Sequence, residues 1–427
     1  MGGSNLIDHS RNASRYALFV AVAFALACSS SPGAVDNPDS HWVATWSAAN
    51  AEVLKPETFT NQTLREIVHI DIGGQAVRIC IANTFGAQPV TFDAVYLGLQ
   101  KSGATLVRGS NHAVTFGGSK SITIREGAEA LSDPVPLAVG SGQNLAVSLF
   151  TAGTTGSATV HPLAFQTNYV SIAGNFASTE ESNPFPKTTQ SWYFLHSVDV
   201  IASPDVKGAI VALGDSITDG VDSHPDMYER WPDVLARRLL SQPAGQVASV
   251  LNAGISGNRV LSSSPCWGMN ALARLDRDVF SQTEVRAVIL FEGTNDIGQP
   301  DTPTVSLSPH IIPCLSRIQI TADELIAGYK QIIAQAQARG LKIFGATILP
   351  YQGFGGWTAS GEAKRVAVNT WIKTSNSFDG VIDFASVLSD PTNPARMNPN
   401  YDSGDHLHPG PAGHEAMGNA VDLSLFH

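Results

Sequence analysis

The stretch Ala209-Ile210-Val211-Ala212-Leu213-Gly214-Asp215-Ser216-Ile217-Thr218-Asp219-Gly220 joins a continuous apolar run to a polar turn bracketed by glycines. An uninterrupted short apolar run reads as a strand buried on both faces, the condition of a strand inside a parallel sheet. Gly214 lets the chain turn tightly where the strand ends. Ser216 is then presented at the sheet's C-terminal edge, where such sheets bind ligands. A G-x-S-x-G elbow would have a glycine on each side of the serine. Here Thr218 replaces the second glycine, so Ser216 is expected to open a loop of different design leading to the first helix.

Working outward, strands and helices alternate to the C-terminus. Trp231, Val234, Leu235 and Leu239 fall at helical spacing, and residues 247–251 and 287–291 read as strands. Thr321 to Glu324 is a capping box, in which two side chains satisfy orphan helix amides. Its helix carries Leu325, Tyr329, Ile332, Ile333 and Ala336 and stops at Gly340. Residues 341–349 form the next strand, 362–374 a helix, 381–384 the last strand and 411–423 a final helix. Such alternation implies an α/β domain over residues 208–427, with a parallel sheet covered on both faces.

Upstream the period changes. Val77, Ile79 and Ile81 alternate with Arg78, Cys80 and Ala82, and Leu145, Val147 and Leu149 alternate with Ala146 and Ser148. Period-two alternation marks strands with one buried face. Gly73-Gly74, Gly117-Gly118 and Gly140-Ser141-Gly142 punctuate these runs as turns. Short strands at regular spacing predict a β-sandwich or jelly-roll-like domain over residues 41–200. Residues 201–207 read as the linker between the two halves.

A chain of 427 residues is too long for one ordinary core, which agrees with this division. Its formal net charge of -11 and the lack of a basic run exclude nucleic acid as an expected partner. Arg11 and Arg15 precede an apolar stretch from Ala17 to Ala27, too short to span a bilayer, and Ala25-Leu26-Ala27 fits a small-x-small cleavage site. Residues 1–40 are therefore read as signal peptide and linker, and the protein as exported: secreted, periplasmic or lipid-anchored. Cys28 follows the cleavage pattern, as in bacterial lipoprotein signals, so it is either a lipidation site tethering the chain to a membrane or incidental to ordinary secretion. Export permits disulfides. Cys266 and Cys314 lie in Pro-containing, loop-like stretches and are expected to pair, whereas Cys80 reads as a strand residue.

Three further motifs carry chemistry. Asn252-Ala253-Gly254-Ile255-Ser256-Gly257-Asn258-Arg259 follows the second strand, and Gly257 can bring a bare backbone N–H to a ligand. Phe291-Glu292-Gly293-Thr294-Asn295-Asp296 follows the third, and Asn295 can aim an amide N–H into the same cleft. Such donors are what a developing oxyanion requires. Asp405-His406-Leu407-His408-Pro409 precedes the last helix. A three-residue turn can bring the Asp405 carboxylate to the ring nitrogen of His408 that faces away from the serine. The competing reading is a metal site of Asp405, His406 and His408. No further His/Cys cluster with ligand spacing stands out, and neither metal nor other cofactor is expected. Asp215, Asp219, Asn258 and Asp296 are read as residues that fix loops, and Arg259 as structural. Trp267, Phe354 and Trp357 lie in loops where aromatics either line a pocket or pack the loops.

In order and context these four blocks resemble the SGNH (GDSL-type) hydrolases, named for Ser, Gly, Asn and His. Gly214-Asp215-Ser216 matches the first block, Gly257 the second, Gly293-Thr294-Asn295-Asp296 the third and Asp405-His406-Leu407-His408 the last. The N-terminal half, opening with His41-Trp42-Val43-Ala44-Thr45-Trp46-Ser47, resembles a bacterial subgroup with a β-rich domain before the catalytic one. The resemblance implies a three-layer, flavodoxin-like α/β domain. It implies Ser216 as nucleophile, His408 as its base and Asp405 as the group that orients His408. The Ser216 N–H, the Gly257 N–H and the Asn295 side chain would form the oxyanion hole. The expected activity is hydrolysis of carboxylic esters through an acyl-enzyme, on a small-molecule or polysaccharide substrate, with deacetylation of carbohydrates in view. Lipase, lysophospholipase or thioesterase activity is the alternative within the same chemistry. A glycan-binding surface protein with a weakly active hydrolase domain is the alternative from another class.

Overall fold

A computed structural model of the chain describes residues 40–303 and 312–426. The expected export segment, with Cys28, lies outside the described residues. Five strands, Val206–Gly214, Val247–Gly254, Val285–Phe291, Lys342–Ala346 and Gly380–Ile382, form a wholly parallel sheet. Their spatial order is second, first, third, fourth, fifth. The order reverses direction beside the first strand, so a crevice opens at the ends of the first and third strands.

The apolar run that opens this half is buried on both faces, and its alternate residues feed different layers. Ile210 and Ala212 share a cluster with Trp231, Leu235 and Leu239 of the helix Trp231–Leu240 and Met417 of the helix Pro411–Ala420. Val211 and Leu213 share the other cluster with Leu325, Tyr329 and Ile332 of the helix Ala322–Gln337 and Val368 of the helix Ala359–Thr374. Helix, sheet and helix are thus three layers fixed by one strand's alternation.

The N-terminal half is strand-rich. A four-stranded antiparallel sheet contains Trp42–Ser47, Leu195–Ile201, Val77–Ala82 and Glu129–Leu131, and a seven-stranded sheet contains Thr60–His69, Asn144–Thr154 and Ala94–Ser102. Both sheets contribute to one core, through Val43, Ile79 and Val198 on one side and Leu64, Val68 and Val147 on the other. The alternation at residues 145–149 predicts one buried face, but both are buried. Ala146 joins Ile67 and Leu106 on the reverse side, and Ser148 accepts a hydrogen bond from the buried Arg65 guanidinium at 3.0 Å. That guanidinium also donates to the Ala104 carbonyl and stacks on Phe185, so overlying chain covers the reverse face.

Several boundaries differ from the sequence reading. The fourth strand ends at Ala346 because Ile348 N–H is taken by the Asn369 side chain, 2.8 Å away. Phe384 is no strand residue. Asp383 caps a short helix, Phe384–Leu388, by accepting the Ser386 N–H. The final helix stops at Ala420. The segment read as a linker is little more than a turn, since Ile201 ends one strand and Val206 begins the next. The halves are also joined laterally. Ser249 Oγ donates to Ala44 O at 2.6 Å, and Val250 N–H donates to Asp71 Oδ2 at 2.7 Å.

Burial pushes the Asp71 carboxyl up to about 8, only partly offset by the Val250 N–H. Between its ordinary value of 3.8 and about 8, the folded chain holds a proton there that the unfolded chain has lost. Stability must therefore fall as pH rises through this window, by up to about 1.4 kcal/mol per pH unit for one group. Asp71→Asn, which mimics the protonated carboxyl, is expected to gain on the wild type progressively from pH 4 to pH 8. Urea unfolding across that range checks this, and a pH-independent difference would contradict it.

Candidate active site

The first parallel strand delivers Ser216 to the crevice. Ser216 does not open a loop: it is the first residue of a one-turn helix, Ser216–Asp219, capped by the Asp215 side chain, which accepts the Ile217 N–H at 3.1 Å. Gly214 is required here, since a Cβ would lie 2.1 Å from Thr218 Oγ1 and 2.5 Å from Phe291 O. Ser216 Oγ lies 2.8 Å from His408 Nε2. His408 Nδ1 lies 2.6 Å from Asp405 Oδ2. The other oxygen of Asp405 accepts the backbone N–H groups of Leu407 and His408, each at 2.8 Å. Burial works against ionisation of Asp405, but the His408 ring and these amides outweigh it and hold the carboxyl well below the usual carboxylate range. A hydroxyl, an imidazole and an ionised carboxylate thus stand in a hydrogen-bonded line, with the imidazole able to accept the hydroxyl proton.

His406 turns away and pairs with Asp402 at 2.7 Å, its side chain half exposed. Among the described residues, those whose ligand atoms come together, all within 4.8 Å, are Asp222, Asp405 and His408. The trio of Asp405, His406 and His408 is therefore not a cluster in space. Asp222, which the sequence reading passed over, sits at φ +66° with its carboxylate 3.9 Å from His408 Nδ1.

Gly257 and Asn295 reach the same crevice from the second and third strands. Among the described residues, neither Ser216 N–H nor Gly257 N–H has a hydrogen-bond acceptor. Gly257 has φ +78°, and a Cβ there would lie 2.4 Å from the Trp267 ring. The Asn295 amide is held by Gln299, whose Nε2 donates to Asn295 Oδ1 at 3.1 Å and to Gly257 O at 3.0 Å. Gln299 is itself fixed, because its oxygen accepts from Arg259. Arg259 otherwise donates to the carbonyls of Ser262, Ser263 and Cys314, so it braces loops. Asn258 takes the carbonyls of Trp267 and Met269, and Asp296 takes the N–H groups of Val260 and Leu261. Gln299 was legible only as the residue one helical turn after Asn295.

Beneath the crevice lies Arg274, fully buried. It donates to Gly214 O at 3.0 Å, Ala253 O at 2.7 Å and Asn258 Oδ1 at 3.0 Å, and lies 3.1 Å from Asp278 and 3.5 Å from Glu292. Burial raises Asp215 to about 7 and Asp296 to about 6, and drives Glu292 well above the usual carboxylate range.

The cleft above these groups encloses ≈ 240 Å³ and is walled by Val221, Trp267, Leu315, Tyr351, Phe354 and Leu407. Cys266 and Cys314 form a disulfide, and each is followed by a wall residue, Trp267 or Leu315. Trp357 packs on the core instead. A larger groove of ≈ 730 Å³ lies at the opposite end of the sheet, lined by Lys207, Gly245, Arg286 and Lys342, and holds no nucleophile–base pair.

Residues 212–416 match the GDSL-like lipase/acylhydrolase family. Among solved structures, a protein described as lipolytic and of the G-D-S-L family from Desulfitobacterium hafniense is 23% identical, covering 50% of this chain and 96% of its own, with a TM-score of 0.36. A GDSL-like lipase from Bacteroides thetaiotaomicron is 18% identical, covering 51% of this chain and 87% of its own, with a TM-score of 0.35. An acetyl xylan esterase is 18% identical, covering 50% of this chain and 96% of its own, with a TM-score of 0.36. No curated protein matches the chain.

Gly257→Ala should strain the backbone and collide with Trp267. A loss of about 1–3 kcal/mol in unfolding free energy is expected, measured by urea titration. An unchanged midpoint would mean that Trp267 yields freely.

Proposed function

Residues 212–416 make this chain a member of the SGNH (GDSL-type) hydrolases, and on that premise we propose that it is a serine esterase cleaving short-acyl carboxylic esters. The observation that carries this reading is the line Ser216 Oγ–His408 Nε2–His408 Nδ1–Asp405 Oδ2, with contacts of 2.8 and 2.6 Å. Ser216 Oγ attacks the ester carbonyl as its proton passes to His408 Nε2. Asp405 fixes the ring so that Nδ1 carries the other proton, and it stabilises the imidazolium. The carbonyl oxygen, now an anion, meets the N–H groups of Ser216 and Gly257 and the Asn295 amide, donors set before the reaction begins. Collapse releases the alcohol with the proton from His408. Water, activated by the same base, then frees the acid.

The cleft supports a small acyl or alcohol group. Its ≈ 240 Å³ is under the roughly 300–1,000 Å³ of pockets that take drug-sized ligands. A short acyl group therefore suits it better than a long chain, and acetylated carbohydrates are one class of such esters. The disulfide between Cys266 and Cys314 supports export to an oxidising compartment. We read the strand-rich half as a two-sheet sandwich over residues 41–200 that buttresses the catalytic half, 208–427.

Ser216→Ala should abolish release of p-nitrophenol from p-nitrophenyl acetate while leaving thermal unfolding unchanged. Wild-type turnover in that variant would sink the assignment. Asn295→Ala should lower kcat by about 10²–10³-fold. Across p-nitrophenyl esters, kcat/KM is expected to be highest for acetate and to fall with chain length. A maximum at palmitate would replace the short-acyl reading with the lipase one.

A further inference from the structure

One side chain of the strand-rich half reaches the machinery of the other. His161, in the short strand Val160–His161, is buried and turns its ring toward the one-turn helix that starts at Ser216. Its Nδ1 lies 2.8 Å from Ala49 O. Its Nε2 lies 3.1 Å from Asp219 Oδ1 and 3.3 Å from Leu163 O. Both nitrogens therefore face only acceptors. A neutral imidazole has one N–H and would leave two lone pairs opposed; an imidazolium satisfies both sides. Burial opposes that charge, but the Asp219 carboxylate outweighs it and raises the ring's pKa. His161 and Asp219 thus form an ion pair with almost no access to water, where loss of one partner strands the other.

Asp219 passes the constraint on. Its second oxygen accepts both the Ser256 N–H at 2.8 Å and the Ser256 Oγ–H at 2.6 Å. Ser256 supplies the carbonyl half of the peptide whose N–H belongs to Gly257. Asp219 also closes the turn that Ser216 opens, and it sits against Gly254, where a Cβ would lie 2.2 Å from Asp219 N. One carboxylate thereby sets the spacing between the Ser216 turn and the Gly257 amide.

We propose that His161 is a positioning residue for the oxyanion hole: through Asp219 and Ser256 it fixes the Gly257 N–H relative to Ser216, so the strand-rich half completes the active site. The inference rests on the esterase reading above. It separates the halves' roles in a way that burial alone would not, because the effect must fall on transition-state binding.

The full-length chain and its His161→Phe and His161→Gln variants are assayed with p-nitrophenyl acetate and with phenylboronic acid, whose tetrahedral adduct on Ser216 places an oxygen in the hole. Gln can still donate to Asp219; Phe cannot. His161→Phe should lower kcat by about 10–100-fold, the scale of a misplaced catalytic geometry, with KM unchanged and phenylboronate affinity reduced in the same proportion. His161→Gln should recover most of both. Wild-type kcat and boronate affinity in a folded His161→Phe variant would overturn the proposal, as would a loss confined to thermal stability or KM. If the Phe variant does not fold, Asp219→Asn is carried through the same assays, and unchanged kcat and boronate affinity there overturn it equally. A wild-type chain inert toward esters, or an active Ser216→Ala variant, would instead bring down the esterase reading and this inference with it.

Discussion

The strand ends beneath the candidate site are tied together by one buried cation. The Arg274 guanidinium, wholly inaccessible to water, reaches the carbonyl ends of the first and second parallel strands and the Asn258 side chain beyond the second. The Gly214 carbonyl also takes the Ile255 N–H, and burying a strand-end carbonyl short of donors is costly. Arginine answers this with five donors in a rigid fork. Its charge in turn requires an anion, which Asp278 provides at 3.1 Å, and the Glu292 carboxyl lies 3.5 Å away. The motifs around Ser216, Gly257 and Asn295 come from three separate strands, yet they share this one floor. The arrangement is rigid because the cation, its carbonyls and its carboxylates are interlocked, so no one of them can shift alone.

The same burial sorts the carboxylates into two kinds. Asp215, Asp296 and Glu292 lie under the cleft, where desolvation pushes their pKa values up. Asp405 stands at the rim, wrapped by amides and the His408 ring, and is held low. Environment rather than residue type thus decides which acid carries charge beside the imidazole.

Much of this was legible in the sequence, and for physical reasons. The run Ala209–Leu213 reads as a strand buried on both faces and is one, and the capping box at Thr321–Glu324 starts its helix as read. Local patterns of this kind are written in the residues that form them. Glycine turns and loop asparagines are common singly, and the four motifs could be located because their order and context resemble the SGNH (GDSL-type) hydrolases. What stayed hidden was set by tertiary contact. Ser148 and Ala146 look solvent-facing by alternation, and only the covering of the reverse face by the chain around Arg65 buries them. His161 carried no motif at all: its meaning depends on Asp219, 58 residues away. Gln299 and Arg274 drew no reading from the sequence, because the strand ends they serve are set by the fold. Asp222 acquires its position only from a left-handed backbone turn at φ +66°, which no neighbour in sequence announces.

The contact between Asp71 and the Val250 amide has a bearing beyond the pH response of folding. Val247–Gly254 is the outermost strand on its side of the parallel sheet. An outer strand offers a row of unclaimed N–H and C=O groups to any extended chain that drifts against it, including another copy. Asp71 occupies the Val250 donor with a side chain, and the Ser249 side chain binds the Ala44 carbonyl. The strand-rich half therefore serves as a guard on the sheet's open margin, denying it to self-association. It thereby covers the strand that delivers Gly257 to the cleft.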